Sequence, residues 1–153
     1  DKYSLAFDGD PTVNVYRNET PMPRAFVVHQ TAVALTQEAA WTRIHESGFD
    51  PASTVVLESG QAQAAAGVSG ATAQVLRYGS NALEIELDTP KAGYLVLSDP
   101  FYPGWRATVD GTTTQMVLAN VAGLGVPVPA GRHSVELDYQ PWGWQTSLHP
   151  IGY

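Results

Sequence analysis

Few side chains in the chain have both the type and the spacing that chemistry needs. Asp8-Gly9-Asp10 has the Asp-x-Asp form with which many sugar-nucleotide transferases hold a divalent ion. Gly9 and the following Pro11 make a hairpin turn the stronger explanation, because both residues preset turn geometry. His29, His45, His133 and His149 are scattered, without an i, i+4 pair or the carboxylate pattern of a metal site. Ser98-Asp99 suggests part of a hydrolytic triad, but Asp99-Pro100 initiates a turn, and a triad also needs a partnered histidine. No Gly-x-Ser-x-Gly elbow, Walker A loop or nucleotide fingerprint occurs. The residues therefore name no catalytic group, no metal site and no cofactor.

The aromatic corner Phe101-Tyr102-Pro103-Gly104-Trp105, with Tyr94, offers ring faces of the kind that stack on a pyranose. A Pro-Gly turn that tucks Trp105 into a core accounts for it better, since buried aromatics outnumber ligand platforms. Tyr102 is the member expected at the surface. Arg24, entering a strand after Pro23, is expected to find a carboxylate, with Glu58 a candidate.

Positioning these groups falls to β structure. Tyr3 to Phe7 and Thr12 to Tyr16 flank the turn formers Asp8 to Pro11 and read as a hairpin; Arg24 to His29 and Thr54 to Glu58 read as strands. One helix is expected near residues 37–47. Thr36 is its N-cap, Glu38 lies in its first turn, Gly48 is its left-handed stop and Phe49 folds back on Ile44. Ser59 to Ala71 is almost all Ala, Gly, Ser and Gln and reads as a connector. Beyond it Thr72 to Tyr78, Ala82 to Leu87, Gly93 to Ser98, Trp105 to Val109, Gln115 to Leu118, Gly125 to Val128 and His133 to Tyr139 read as strands. Gly79-Ser80-Asn81, Thr89-Pro90-Lys91 and Asp110-Gly111 supply turns between them. Short strands without helices between them predict a mainly β fold, an antiparallel β-sandwich of jelly-roll or immunoglobulin-like kind. The expected organisation is one compact domain: an N-terminal portion 1–58 packed on the sandwich, the connector 59–71, the sandwich core 72–141 and a tail 142–153.

The 153 residues carry 8 Lys+Arg against 15 Asp+Glu, a formal net charge of −7. Such a balance excludes a duplex-wrapping nucleic-acid partner, whose affinity comes from cations on phosphates. No run approaches the roughly 18 apolar residues of a membrane span. The absence of cysteine removes disulfides and thiol chemistry without fixing a compartment. Asp1-Lys2-Tyr3-Ser4 lacks the features of a signal peptide, so the chain is expected to be mature or a piece of something larger.

The run from Gly93 to Gly111, GYLVLSDPFYPGWRATVDG, is more specific than these propensities. It resembles the C-terminal region of the bacterial membrane protein YfhO family, polytopic proteins similar to GT-C glycosyltransferases. The resembling pattern is a strand ending in Ser98-Asp99, the Tyr102-Pro103-Gly104-Trp105 corner and a Val109-Asp110-Gly111 hairpin. It continues through Ala119-Asn120, Val126 to Gly131, His133, Val135-Glu136, Tyr139 and Pro141. Pro23-Arg24-Ala25-Phe26 and Val55 to Glu58 look like earlier landmarks, so the resemblance runs over roughly residues 12 to 142. One departure is Leu124, which stands where relatives carry an Arg.

The resemblance implies a domain on the extracytoplasmic face of a bacterial cell membrane, with the rest of the parent membrane protein and cell-envelope glycan as expected partners. Its catalytic carboxylates would lie in an early loop outside this chain, so the fragment itself is expected not to be an enzyme. Trp142 and Trp144 suit the aromatic belt of a bilayer interface, or cover one end of the sandwich. Tyr102, Trp105, Trp142 and Trp144 are the candidate glycan or surface contacts. Arg24, Glu58, Asp99, Gly104, Asp110, Gly111, Asn120 and Gly131 are the candidate structural motif. An independent carbohydrate-binding module is the alternative. A free-standing hydrolase would require Asp99, a histidine and a nucleophile in one cleft.

Overall fold

The computed structural model describes residues 2–65 and 67–140. Thirteen strands and one helix are present among them: β1 Tyr3–Asp10, β2 Val13–Asn18, β3 Ala25–Val28, β4 Gln30–Val33, α1 Gln37–Ile44, β5 Thr54–Leu57, β6 Thr72–Tyr78, β7 Ala82–Thr89, β8 Gly93–Leu97, β9 Trp105–Val109, β10 Thr112–Thr114, β11 Val117–Ala119, β12 Gly123–Val128 and β13 Gly131–Tyr139. The fold is mainly β, a sandwich of a five-stranded sheet, β10-β9-β13-β7-β6, on a six-stranded one, β3-β8-β12-β11-β5-β4. All pairings are antiparallel except β4 with β5.

Strand alternation builds the core. Leu83, Ile85 and Leu87 of β7 and Val135 and Leu137 of β13 point inward from one sheet. Leu95 and Leu97 of β8 and Leu124, Val126 and Val128 of β12 meet them from the other. Glu136 and Asp138 alternate outward into water, as a half-buried strand requires. The six-stranded sheet is buried on its second face too. Val28, Val55, Leu57, Val96 and Ala119 form a cluster there with Phe26 and Tyr94, which is why β5 and β8 read as nearly continuous apolar runs. The start of the small-residue connector lies over this face: Gln63 bridges Thr31 of β4, and Gly60 lies close to the Tyr94 hydroxyl.

Residues 25–57 supply three strands of the larger sheet, β3, β4 and β5, and so belong to the sandwich rather than to a layer outside it. The helix is capped as its residues dictate. Thr36 Oγ1 accepts the Ala39 N–H, Gly48 adopts a φ of 89°, and Ile44 and Phe49 join Ala34, Ala40 and Val56 in a small cluster. It ends at Ile44, shorter than the predicted span. Of the strand expected over Gln115 to Leu118 only Val117 and Leu118 are strand, in β11; β10 was not expected, and Gln115 and Met116 are the crossing where the chain leaves one sheet after Thr114 and joins the other at Val117. The predicted hairpin β1–β2 forms, but its turn is Pro11-Thr12 rather than Asp8 to Pro11, since Asp8, Gly9 and Asp10 extend β1, and every residue in it is exposed.

Candidate functional site

The motif residues converge as fasteners of the sandwich. Arg24, just before β3, donates from Nη1 to the Tyr78 hydroxyl at 2.8 Å and to Asp99 Oδ1 at 3.3 Å. Its guanidinium lies 4.5 Å from the centroid of the Tyr78 ring, a cation–π contact. Tyr78 in turn donates to Asp99 Oδ1 at 2.7 Å. Since β3 and β8 belong to one sheet and β6 to the other, this trio clasps the two sheets together. The hydrogen bond to Asp99 raises the Tyr78 pKa, because it favours the protonated phenol. Arg24 thus pairs with Asp99 rather than with Glu58; Glu58 Oε1 and Asp99 Oδ2 are buried with no hydrogen-bond partner among the described residues.

A second fastener is the β9–β10 turn. Thr112 pairs with Val109, leaving Asp110 and Gly111 as a two-residue loop with φ of 51° and 76°, the type I′ geometry for which Asp-Gly is suited. Asp110 Oδ1 accepts the Ser134 N–H at 2.9 Å, and its Oδ2 meets His133 Nδ1 at 2.6 Å. His133 Nε2 contacts the Ala130 carbonyl at 3.2 Å, and Gly131, at the start of β13, lies beneath the ring. An acceptor at each nitrogen stabilises the protonated ring. The hydrogen bonds to Asp110 and Ala130 push the His133 pKa up, and the His133 and Ser134 donors pull that of Asp110 down.

Asn120 is the third. Its side-chain oxygen accepts the Val56 N–H at 2.9 Å while its own N–H donates to the Val56 carbonyl at 2.8 Å. The amide therefore extends the β11–β5 pairing beyond the last strand residue. Asn120 has a φ of 49°, which Asn tolerates, and Val121 follows at 75°, which a β-branched residue rarely adopts. Gly104 has a φ of 114°, and a Cβ there would meet the Gln140 carbonyl at 2.8 Å. Leu124, where an Arg was expected from the resemblance, is fully buried between the sheets, opposite Leu97 and Leu118. No ligand contact can arise from it.

The remaining candidates separate. Asp10 Oδ1 accepts both the N–H and the hydroxyl of Thr12, which lowers its pKa and holds the hairpin turn. His29 is buried, and its Nε2 donates to Thr89 Oγ1 at 2.8 Å, since that hydroxyl spends its own proton on the Lys91 carbonyl. His45 stacks on Trp41 on the helix surface. Tyr102 is 58% exposed. Trp105 is half-buried, packed on the core and tilted against Tyr139 with ring centroids 5.3 Å apart. Trp142, Trp144 and His149 lie outside the described residues.

Two recesses adjoin the point where the chain crosses between sheets. One, about 250 Å³, is lined by Phe101, Trp105, Arg106, Thr114, Gln115 and Met116 among others. The other, about 360 Å³, is lined by Gln63, Tyr94, Thr114 and Pro127 among others. Sequence reasoning missed Gln63, Thr114 and Gln115, because a polar residue in a connector or at a strand end carries no signal until the topology places it beside a ring. A wider hollow of about 680 Å³ lies beside the first turn of α1, between Trp41 and Val121.

No curated protein and no solved structure matches the chain. A family model described as bacterial membrane protein YfhO matches residues 59–149, from the connector through β13 and beyond. No helix among the described residues is long and apolar enough to cross a membrane. The matched stretch contains Asp99, which links the two sheets, and Gly104, the Asp110-Gly111 turn, Asn120 and His133, which hold turns and strand ends within them, and the chain belongs to the YfhO family of bacterial membrane proteins.

Proposed function

We propose that this chain is a non-catalytic, extracytoplasmic domain of a polytopic membrane protein that resembles lipid-linked-sugar glycosyltransferases. Its role is positional: it holds an acceptor glycan or an envelope partner beside the membrane-embedded site. The observation that carries the reading is how the chemically competent groups are spent. The His133–Asp110 pair has the donor–acceptor form of a catalytic dyad, but His133 Nε2 faces the Ala130 carbonyl instead of a nucleophile. Asp99, another carboxylate of the motif, is engaged through Oδ1 by Arg24 and Tyr78.

The chain lacks cysteine, which makes the test of sidedness direct. Ser80→Cys, on the exposed β6–β7 turn, is placed in the full-length parent and treated with a membrane-impermeant maleimide in intact cells. Labelling above that of the parent without the substitution supports the proposal. Labelling only after lysis overturns it.

A further inference from the structure

The two recesses share an edge and repeat a chemistry. Each presents an aromatic wall, Trp105 with Phe101 in the first and Tyr94 in the second. Each also presents one side-chain amide, Gln115 and Gln63 respectively, and Thr114 lines both. The first recess exists because the chain abandons β9 early. Thr114 pairs with Ala107, and a continued ladder would set Met116 opposite Trp105, but β11 has by then joined the other sheet. The first two residues of β9 are left unpaired on the β10 side, β13 flanking them on the other, and the ring of Trp105 forms part of the wall. Tyr139 supports that ring, so the wall is preformed. The connector contributes Gln63 to the second recess, and paired backbone bonds with Thr31, N to O at 2.9 and 3.3 Å, hold it in place.

We propose that these recesses are two adjoining subsites for a neutral glycan, with one pyranose ring in each. An aromatic wall suits the apolar C–H face of a pyranose, while an amide and a hydroxyl bond its equatorial oxygens. Repetition of that set on either side of Thr114 matches a ligand made of repeating rings. The first recess, at 250 Å³, is smaller than the roughly 300–1,000 Å³ of a drug-sized site and takes a single ring. Arg106, which has no ion-pair partner among the described residues, adds a planar donor at the rim of the first subsite. Tyr102 lies outside both linings, so the exposed aromatic of the corner is not the ligand platform.

This site rests on the positional role proposed above and names the surface that performs it. The test is titration of the 153-residue chain, followed by NMR, with methyl glucoside, methyl galactoside, methyl N-acetylglucosaminide, maltose, cellobiose and chitobiose. At least one disaccharide is expected to bind more tightly than its methyl monosaccharide and to shift the side-chain resonances of Trp105, Tyr94, Gln63 and Gln115 together. Gln115→Ala and Gln63→Ala, which remove no core contact, are each expected to weaken that binding roughly tenfold with the circular dichroism spectrum unchanged. Absence of binding across the panel overturns the two-subsite proposal, as does binding that neither glutamine variant weakens. Extracytoplasmic labelling of Ser80→Cys together with either result would overturn the glycan site alone and leave the proposed location standing.

Discussion

Tyr78 on one sheet donates its phenolic proton to Asp99 Oδ1 at the end of a strand on the other, 2.7 Å away. Arg24 completes the contact by capping the Tyr78 ring and reaching both oxygens. A phenol whose folded-state pKa is raised contributes stability that is fully present below its unfolded pKa of 10.0 and is lost as pH rises through the higher folded value. Tyr78→Phe is therefore expected to lower the denaturation midpoint near neutral pH and to reduce the alkaline loss expected of the native chain. Urea titrations at pH 7 and pH 11 on both proteins check this.

His133 and Asp110 set a second pH dependence of opposite reach. The raised His133 pKa gives stability that is complete below 6.5 and declines as pH rises through the folded value. The lowered Asp110 pKa gives stability that is complete above 3.8 and is lost as pH falls through its depressed folded value. The pair thus contributes most between pH 3.8 and 6.5. His133→Gln should flatten the decline above pH 6.5, read as the difference in urea midpoint between pH 5.5 and pH 9. An unchanged slope would show that the imidazole is not the titrating group.

Asn120→Ala removes the acceptor of the Val56 N–H and places a Cβ residue without Asn's tolerance at positive φ. The cost expected from an orphaned buried donor and a left-handed alanine is about 2–4 kcal/mol. Asn120→Asp, which keeps an acceptor at the same place, should lose less than Asn120→Ala. Guanidinium denaturation of the two variants gives the ranking, and equal losses would remove the side-chain bond from the account.

Leu124→Ala deletes a fully buried side chain from between the sheets, where the neighbours Leu97 and Leu118 are held by their own ladders. A loss of about 2–5 kcal/mol is expected, the range for a cavity left by leucine. Calorimetry measures it, and a loss under about 1 kcal/mol would mean that the core closes around the gap.

The β1–β2 hairpin should exchange its amides fastest. None of its residues enters a core cluster, and a two-stranded hairpin alone is marginal in water. Hydrogen exchange is expected to label Tyr3 to Asn18 well before the central strands β7 and β13. Protection equal to that of β13 would reveal a partner on the hairpin.

How much of this was legible in the sequence follows from the reach of each signal. Thr72 to Tyr78 and Trp105 to Val109 were predicted to the residue, because alternation and turn chemistry act within a few positions. Thr36 and Gly48 marked the helix for the same reason. Gln30–Val33 was missed: it follows β3 after a single residue and pairs in parallel with β5, a partner fixed by topology. Asp99 as the partner of Arg24 lies 75 residues away in the chain, and neither residue names the other. The recess glutamines were invisible for the same reason, whereas Asp110-Gly111 announced its own turn.

The family match begins at residue 59, but the larger sheet does not. Its strands β3, β4 and β5 precede the match, and β3 and β5 border β8 and β11 within it. Synthesis delivers these strands early; β4 and β5 can pair with each other, but β3 and the second edge of β5 must wait for β8 and β11. Such non-local pairing is slow to form, on the order of milliseconds to seconds, and leaves apolar strands open meanwhile. A gene segment cut at the boundary of the match would encode half a sheet. Any attempt to produce this sandwich in isolation has to begin upstream of Arg24.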